Sequence, residues 1–457
     1  MLNNRYILVI NVHAYRIKER NRMKMLPLLF LIALLYAIPI TIAALPGNFD
    51  PLHHGYFNER VLVNPLVLPK KDTFHVFSGY VQNDMFLDTR RIVSGRDGSF
   101  LLYPARPDFD IEGNDINARP NANMQEIRTR LRWNVYGPDL WGASTYGMIE
   151  TDFLGITDET MLSNRIRHAY FQLDWETFSL LCGGTWHPLY FPINAPETVS
   201  FDSGTPINPF ARVPQLRLTY YRSWFDVVLA FAVEDKIHFS DGPDGFTTFY
   251  KRFGVIPDIS LSGIGHICEH RIGAGVHYKR IAPRLSSDTN YKVYEFNNSV
   301  SAIGWAQFML RPVMVTLKGV YGQNLTSALS FGGYAVYETD PATDERKYTN
   351  LRMASGWIEI VVEKSSRFQP ALFAGYAVNL GAKKIIPNSS LVYGLGTDVA
   401  FLARISPRLW IKYNPLVIGL EFQVNHAGWG TLNDHAKPVN AVPVTDWRFQ
   451  CGLFYLF

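Results

Sequence analysis

The chain has 457 residues, of which 47% are hydrophobic and 14% aromatic, and its formal net charge is +4. A mean hydropathy of −0.03 excludes a bundle of membrane helices, because each spanning helix needs about 20 consecutive apolar residues. Hydrophobic residues that are spread evenly among polar ones, with many aromatics, are typical instead of strands that alternate between two environments.

The first 44 residues have the layout of a secretory signal peptide. Five Lys and Arg in residues 16–24 precede an apolar run from Leu26 to Leu45, and the small residues Ala43 and Ala44 close it. A membrane-spanning helix is the alternative, but two prolines interrupt the run and no charges follow it to stop transfer. We therefore predict a signal peptide over residues 1–44, in which residues 1–22 are the candidate extension from an upstream start.

The positive charge belongs to this segment and not to the rest of the chain. Residues 1–44 hold six of the 44 Lys and Arg but one of the 40 acidic residues, so the remainder has a net charge of about −1. This distribution does not indicate nucleic-acid binding. Residues 45–72 are polar and punctuated by prolines, and we interpret them as a periplasmic lead-in to residues 73–457.

Residues 73–457 divide into about sixteen candidate strands with period-two alternation. These are Thr73–Leu87, Gln125–Val135, Ala143–Phe153, Asn164–Trp175, Phe178–His187, Val213–Tyr221, Phe225–Glu234, Asp258–His266, His270–Ile281, Glu295–Met309, Val313–Gln323, Asn350–Glu363, Phe368–Leu380, Gly396–Lys412, Leu416–Asn425 and Thr445–Phe457. Seven short connections alternate with eight long ones, and the long ones include residues 427–444. This order places the first and the last strand ends, and so both termini, on the side of the short turns. The pattern predicts an all-β fold, a transmembrane antiparallel up-and-down barrel, although fourteen or eighteen strands would also fit.

The last candidate strand is the clearest amphipathic stretch of the chain. Its odd positions from Trp447 to Phe457 are apolar, and the opposite positions are mostly polar or small. An ordinary soluble sheet would bury the apolar face, whereas a membrane barrel would turn it to lipid. Gly452, Tyr455 and Phe457 also resemble the C-terminal assembly signal of outer-membrane barrels, so we predict that the barrel assembly machinery binds this end.

Several basic residues fall on the lumen side of the predicted barrel. Arg128, Arg130 and Arg132 share one face of one strand, where a packed core would not hold three repelling charges but a water-filled lumen would. A solvated face of a soluble sheet is the alternative. The other predicted lumen bases are Arg217, Lys318, Arg404 and Arg448. Acids including Glu126 and Glu150 also point inward, so a preference for anions is a hypothesis.

The third long connection, from Pro188 to Arg212, contains five prolines and several aromatic residues. A loop this long with apolar content is expected to pack onto the protein. We predict that it folds into the barrel as a constriction loop, where Glu197, Asp202 and Arg212 set the local field. External packing, for example against a neighbouring subunit, is the alternative.

Enzyme and metal chemistry find little support. No Gly-x-Ser-x-Gly or HExxH motif is present, and the three cysteines are far apart without metal-ligand spacing. His266, His270 and His277 are the best metal candidates, but scattered histidines on alternating strands are more often surface residues. We predict no catalytic residues, no metal and no cofactor.

Motifs in the first half of the barrel occur in an order that resembles a known family. They are Ser78–Arg90, Thr129–Asp139, Gly147–Gly155, Arg165–Leu173, Gly184–Trp186 and Pro214–Tyr220. Together they resemble the DcaP-like and phosphate-selective-type outer-membrane porins between about Thr73 and Tyr221. The resemblance implies a sixteen-stranded trimeric channel for small, often anionic, solutes.

The resemblance also implies which residues line the lumen: Arg130, Arg165, Arg167 and Arg217. The chain departs from the family because it lacks an N-terminal coiled-coil heptad segment, so trimerisation through such a segment is not supported. A lysine-rich lumen, expected for phosphate selectivity, is not evident either.

The leading hypothesis is an outer-membrane porin through which small hydrophilic, anionic solutes diffuse passively. Its expected partners are those solutes, outer-membrane lipid, the assembly machinery and two further copies in a homotrimer. The alternative is an outer-membrane barrel with a plugged lumen and a structural or adhesin role. An outer-membrane enzyme is a third and weaker hypothesis.

Overall fold

The computed structural model describes residues 73–187, 189, 195–233, 241–243, 245–246, 254–362 and 367–457. The predicted signal peptide and periplasmic lead-in lie outside these residues, so both remain predictions. Three single turns of 3-10 helix occur in the described part, at Asp158–Thr160, Thr326–Ala328 and Ser389–Leu391. No helix among these residues is long and apolar enough to cross a membrane.

The described residues form twenty-three strands. They are β1 (Phe74–Asp88), β2 (Ile92–Gly95), β3 (Phe100–Pro104), β4 (Asn121–Gln125), β5 (Arg130–Leu140), β6 (Ala143–Asp152), β7 (Arg165–Asp174), β8 (Phe178–Trp186), β9 (Arg212–Tyr221), β10 (Phe225–Ala232), β11 (Asp241–Gly242), β12 (Gly245–Phe246), β13 (Asp258–Ile267), β14 (His270–Ile281), β15 (Asn297–Leu310), β16 (Val313–Gln323), β17 (Gly332–Thr339), β18 (Arg346–Val362), β19 (Phe368–Ala382), β20 (Val392–Leu395), β21 (Val399–Tyr413), β22 (Leu416–Leu432) and β23 (Pro438–Leu456).

Sixteen of these strands form a closed antiparallel barrel, as the sequence predicts. The wall consists of β1, β5 to β10, β13 to β16, β18, β19 and β21 to β23, each paired with its neighbours along the chain. The barrel closes where β1 pairs with β23, in a register that places Tyr80 opposite Leu456 and Asp88 opposite Arg448. Closure satisfies the backbone hydrogen bonds that an open sheet edge would expose to lipid.

The two faces of the closing strand differ as its alternation predicts. Trp447, Phe449 and Tyr455 are at least half exposed on the outer face, whereas Arg448 and Gln450 are buried inside. The apolar face therefore points outward, where a membrane barrel contacts lipid.

The end of the closing strand is tied to β1. The Phe457 and Gly79 backbones exchange two hydrogen bonds, of 3.0 and 3.1 Å. Gly452 faces inward, and a Cβ there would lie 2.9 Å from the Phe454 ring, so its smallness has a packing reason. Recognition of Gly452, Tyr455 and Phe457 by assembly machinery remains a prediction.

Two parts of the predicted strand map are wrong. The connection expected at residues 427–444 is mostly strand, because β22 continues to Leu432 and β23 begins at Pro438. The strand expected from Gln125 to Val135 is interrupted, since β4 ends at Gln125 and β5 begins at Arg130. The interruption leaves Glu126 exposed rather than inward and buries Ile127.

Candidate functional site

The constriction loop between β8 and β9 folds into the barrel and reaches the far wall, as predicted. The Ser200 backbone N–H donates to Glu421 on β22 at 2.8 Å, and Arg404 on β21 lies 3.1 Å from Asp202. The Trp357 indole on β18 donates to the Asn208 side chain at 3.2 Å. The loop therefore crosses the lumen from β8 and β9 to the wall formed by β18 to β22.

Apolar packing fixes the loop against that far wall. Ile207 and Phe210 belong to one buried cluster with Trp357, Phe373 and Phe331, which come from the wall and from the loop before β17. The Ser355 hydroxyl donates to the Ile207 carbonyl at 2.7 Å. This half of the lumen is filled by side chains.

Charged side chains lie close together on the opposite wall, where β5, β7 and β9 begin and β6 ends. We call this group the arginine cluster, and its members are Arg130, Arg132, Arg165, Arg167 and Arg212 with the carboxylates Glu150 and Asp152. All five arginines are predicted site residues, whereas the sequence predicts for the two carboxylates only that they point inward. The structure brings them together in one place.

Arg167 stands at the centre of the arginine cluster. Its Nε donates to Glu150 at 2.8 Å and its Nη1 donates to Asp152 at 3.0 Å. Arg165 donates to the other oxygen of Asp152 at 2.6 Å, and Arg132 donates through Nε to Glu150 at 2.7 Å. Arg130 Nε lies 3.5 Å from Glu150. Each carboxylate is therefore shared by two or three guanidinium groups.

A β-bulge explains how Arg165 and Arg167 both reach the lumen. Glu150 on β6 pairs with His168, but Thr151 pairs with Ile166, so Arg167 is an extra residue on β7. A bulge changes the alternation of the side chains beyond it. The inward side chains after the bulge are thus His168 and Gln172, while Phe171 points outward.

The arginine cluster carries more positive than negative charge. Five guanidinium groups surround two carboxylates, and among the described residues Arg130 Nε and Nη2 and Arg212 Nη1 have no hydrogen-bond partner. Buried charges without counter-charges are costly, and buried polar N–H groups normally find an acceptor. The arrangement therefore favours an additional negative group at this place.

Aromatic rings that the sequence does not single out complete the cluster. The Arg212 guanidinium lies 5.1 Å from the Trp186 ring centroid, and Arg167 lies 5.8 Å from the centroids of Trp186 and Phe201. Cations over aromatic faces are attracted by the ring quadrupole. Phe201 belongs to the constriction loop, so the loop contacts the arginine cluster as well as the far wall.

The remaining predicted lumen bases also face inward, but they are paired with protein groups and do not form a row of solvated charges. Arg128 pairs with Asp84 at 3.0 Å and donates to the Val199 carbonyl of the constriction loop at 2.8 Å. Arg448 makes two hydrogen bonds to Asp88, of 2.7 and 2.8 Å. The expected run of Arg128, Arg130 and Arg132 is therefore split between separate ion pairs.

Two further predicted bases occupy other parts of the wall. Arg217 donates to the Gln215 side chain at 3.1 Å. Lys318 is buried on β16, and its strand neighbours in register are Trp305 and Trp357. Neither belongs to the arginine cluster.

The three residues expected to set the constriction field do not meet. Asp202 pairs with Arg404 on the far wall, and Arg212 begins β9 inside the arginine cluster. Glu197 donates its backbone N–H to Glu359 at 2.8 Å. The structure therefore separates the three residues, and of them only Arg212 belongs to the arginine cluster.

A second inward segment was not foreseen. The hairpin of β2 and β3 lies inside the barrel, with Leu101 and Leu102 fully buried. Its Arg96 donates a backbone N–H to Asp158, and burial followed by the nearby charge of Arg165 lowers the pKa of Arg96 to about 10. The buried Phe100-Leu-Leu-Tyr run was the available signal within a loop that otherwise reads as polar.

Metal and redox candidates remain dispersed. Within the described ranges, no three His, Cys, Asp or Glu residues are grouped so that they could hold a metal ion. His266 bonds to Asp226 at 2.8 Å, and His270 accepts a hydrogen bond from the Met309 backbone at 3.2 Å. His277 bonds instead to the Ser260 hydroxyl at 2.9 Å.

Solved outer-membrane proteins are similar to this chain over most of its length. The outer membrane channel DcaP of Acinetobacter baumannii has a TM-score of 0.61 and 17% identity, and the match covers 84% of this chain and 97% of DcaP. This chain has the fold of the DcaP channel. The predicted resemblance is thus confirmed at the level of the fold, and the closed wall with its apolar outer face is the architecture of an outer-membrane barrel.

Two more solved structures extend this similarity. The anion-selective porin from Comamonas acidovorans has a TM-score of 0.50 and 10% identity, covering 84% of this chain and 100% of that porin. A loop-deletion mutant of OmpT, an outer membrane protein of Vibrio cholerae, has a TM-score of 0.50 and 9% identity, covering 84% and 99% of the two chains. No protein-family model matches the sequence, and no curated protein matches it.

Proposed function

We propose that this protein is an outer-membrane channel for the passive diffusion of small hydrophilic, anionic solutes. The observation that carries the proposal is the arginine cluster, in which five guanidinium groups surround Glu150 and Asp152 beside the constriction loop. Rings of basic side chains attract anions into pores and repel cations. The fold of the DcaP channel supports the same function.

The position of the arginine cluster suits a selectivity site. The constriction loop packs on the far wall through Ile207 and Asn208, so a permeating solute passes on the side of Phe201 and the arginines. Arg130 and Arg212 supply the N–H donors that lack acceptors in the described protein. An anion passing there gains hydrogen bonds from donors that are already held in place, and such preorganised donors favour anions over neutral solutes.

The test is the reversal potential of purified protein in a planar bilayer under a salt gradient. The variant Arg130→Met/Arg212→Met removes the N–H donors that lack acceptors and replaces both arginines by long apolar side chains. We expect stepwise conductance from the native protein and a reversal potential that shifts toward cation selectivity in the variant. Arg119→Met, in an exposed part of the loop between β3 and β4, is the matched control and should leave the reversal potential unchanged.

Two different results would contradict the channel function and the anion site separately. Absence of conductance in folded, heat-modifiable protein at every voltage would contradict a channel function. Conductance with the same ion selectivity in the native protein and in Arg130→Met/Arg212→Met would retain the channel but contradict the anion site.

A structural or adhesin role with a plugged lumen is the second candidate, and one observation favours it. The constriction loop and the β2–β3 hairpin fill much of the lumen with packed side chains. Outside the lumen, Phe109, Ile111 and Ile116 are exposed on a loop ringed by acids, as a contact surface would require. Liposomes containing the protein should then exclude small sugars and anions, whereas a channel admits them.

The predicted homotrimer remains part of this proposal. Chemical crosslinking of the protein in native outer membranes tests it, because a trimer yields a ladder that ends at three copies. A monomer after complete crosslinking would contradict it.

A further inference from the structure

The first long loop places a compact hairpin inside the barrel. We call residues Ile92–Pro104, which comprise β2, β3 and the turn between them, the flap. Its two ends are joined, because the Ala105 N–H donates to the Arg91 carbonyl at 2.9 Å. The Arg90 guanidinium also donates to the Ala105 carbonyl at 2.9 Å. The flap is therefore one body attached to the wall through a single neck at Arg91 and Ala105.

The flap completes the closure of the lumen. Phe100 lies 5.6 Å from Phe201 and 5.9 Å from Phe210, so its ring packs on the constriction loop. On its other side, Tyr103 lies 5.5 Å from Trp429 of β22 and 5.9 Å from Phe331. The flap therefore fills the space between the constriction loop and the wall of β21 to β23.

The wall holds the flap through hydrogen bonds to its backbone. The Arg404 and Arg448 guanidinium groups donate to the Leu102 and Gly98 carbonyls at 3.2 and 2.8 Å. The Trp429 indole donates to the Pro104 carbonyl at 3.0 Å. Both arginines keep carboxylate partners of their own when the flap departs. The carboxylate that loses a flap hydrogen bond, Asp158, is exposed to solvent and, among the described groups of the flap, accepts only the Arg96 backbone N–H.

The constriction loop is held in a different way. Its Asp202 forms a fully buried ion pair with Arg404, and its Ser200 N–H binds the buried carboxylate of Glu421. Withdrawing this loop would leave buried charges without partners, which costs far more than losing hydrogen bonds to neutral carbonyls. Of the two inward segments, the flap is thus the one that can leave at the smaller cost.

We propose that the flap is the gate of this channel, and that it swings outward about its neck while the constriction loop stays in place. The structure represents the closed state. The proposal rests on the channel function proposed above, because a gate requires a conducting state. Opening uncovers the Phe201 ring that Phe100 packs on, beside the arginine cluster. Closing restores the hydrogen bonds from Arg404, Arg448 and Trp429 to the flap backbone.

A reversible crosslink tests the movement. The Asn123 side chain of β4 donates to the Asp97 carboxylate at the flap tip at 2.7 Å, so cysteines at these positions lie within reach of a short bifunctional methanethiosulfonate. In the variant Asp97→Cys/Asn123→Cys, with Cys182, Cys268 and Cys451 replaced by Ala, crosslinking should reduce bilayer conductance at least tenfold. Reducing agent should restore it. Each single-cysteine variant treated with the same reagent is the control.

A matched pair of tryptophans separates the flap from the constriction loop. Trp429→Phe removes the indole donor to the flap, whereas Trp357→Phe removes the indole donor to Asn208 of the constriction loop. We expect Trp429→Phe to increase the fraction of time open by several fold and Trp357→Phe to leave it unchanged. Equal effects of the two variants would contradict the proposal.

Deletion of the flap tests the gate and the channel function separately. Replacing residues 92–104 by Gly-Ser-Gly should give a heat-modifiable barrel with a larger and permanently open conductance. Native conductance that is unaffected by both the deletion and the crosslink would overturn the gate and keep the channel. Silence of every variant, including the deletion, would overturn the channel function itself and the gate with it.

Discussion

Two walls of the same barrel bury arginines in opposite electrostatic settings. On β21 to β23, Arg448 is matched to Asp88 and Arg404 to Asp202, one carboxylate for each guanidinium. On β5 to β9, five arginines share Glu150 and Asp152. The residue type is the same on the two walls, although Arg132, Arg165 and Arg212 are less completely buried than Arg404 and Arg448. The main difference is the number of carboxylates.

Under the proposed function, this difference separates the arginines that stabilise the fold from those that would contact the solute. A matched buried pair contributes mainly to the uniqueness of the structure, and it loses much stability when one partner is removed. An excess of buried guanidinium groups costs stability, and binding of an anion, as proposed above, would offset that cost. The variants below test this division on residues of one chemical type.

The largest effect is expected at the matched wall. Arg448→Met leaves the Asp88 carboxylate buried without its partner, so we expect the free energy of unfolding to fall by about 3–5 kcal/mol. Urea titration of the heat-modifiable band in detergent micelles measures this change. Asp88→Asn/Arg448→Met should recover part of the loss, because it removes the uncompensated charge. A single variant as stable as the native protein would contradict the division.

Removal of a carboxylate from the arginine cluster should have the next largest effect. Glu150 contacts Arg130, Arg132 and Arg167, so Glu150→Gln increases the excess of positive charge at a buried site. We expect a loss of about 3 kcal/mol, since a shared buried counter-charge is removed. Added sulfate should reduce this loss more than chloride at equal ionic strength. The same loss in both salts would argue against an anion site.

The fold was largely predictable from the sequence because a strand exposes its pattern locally. The alternation from Trp447 to Phe457 specifies which face meets lipid, and the register of β23 with β1 follows once both faces are assigned. The strand ends were less predictable, since β22 and β23 continue as a paired sheet beyond their expected ends, with a register shift between Trp429 and Thr431 that local alternation does not reveal.

The arginine cluster was only partly predictable, because a lumen is a meeting of distant segments. Arg130 and Arg167 were expected to face inward, but their sharing of Glu150 depends on strand register and on the bulge at Arg167. The flap was missed for a related reason. Its apolar run at Phe100–Tyr103 is shorter than a wall strand and lies between polar turns, so the run indicates burial but does not show that the segment lies inside the barrel.

A third prediction concerns the unmatched cation. Arg212 Nη1 has no hydrogen-bond partner in the part of the chain that the structure describes, and its guanidinium packs on Trp186. Arg212→Met therefore keeps the packing and relieves repulsion. We expect the free energy of unfolding to change by less than about 1 kcal/mol, far less than for Arg448→Met, because no buried carboxylate loses its only partner. The same urea titration compares the two variants directly. A loss as large as that of Arg448→Met would remove the distinction between the walls.

The smallest effect is expected outside the barrel, in a group where carboxylates outnumber guanidinium groups. In the external loops, Arg284 contacts Glu295 and Asp344 at 2.9 and 2.7 Å, and Asp288 lies beside it. Burial opposes ionisation of Asp344, but the hydrogen bond from Arg284 prevails and lowers the pKa of this carboxyl below 3.8. Because the pKa of Asp344 is lower in the folded protein, its ionised form stabilises the two loops above pH 3.8. This stability is lost as the pH falls through the folded pKa.

Pepsin should therefore cleave these loops faster at pH 2 than at pH 4, relative to its cleavage of an unfolded substrate, while the barrel stays intact. Arg284→Met should raise cleavage at pH 4 and remove most of the pH difference, and an unchanged difference in that variant would contradict the assignment to Asp344.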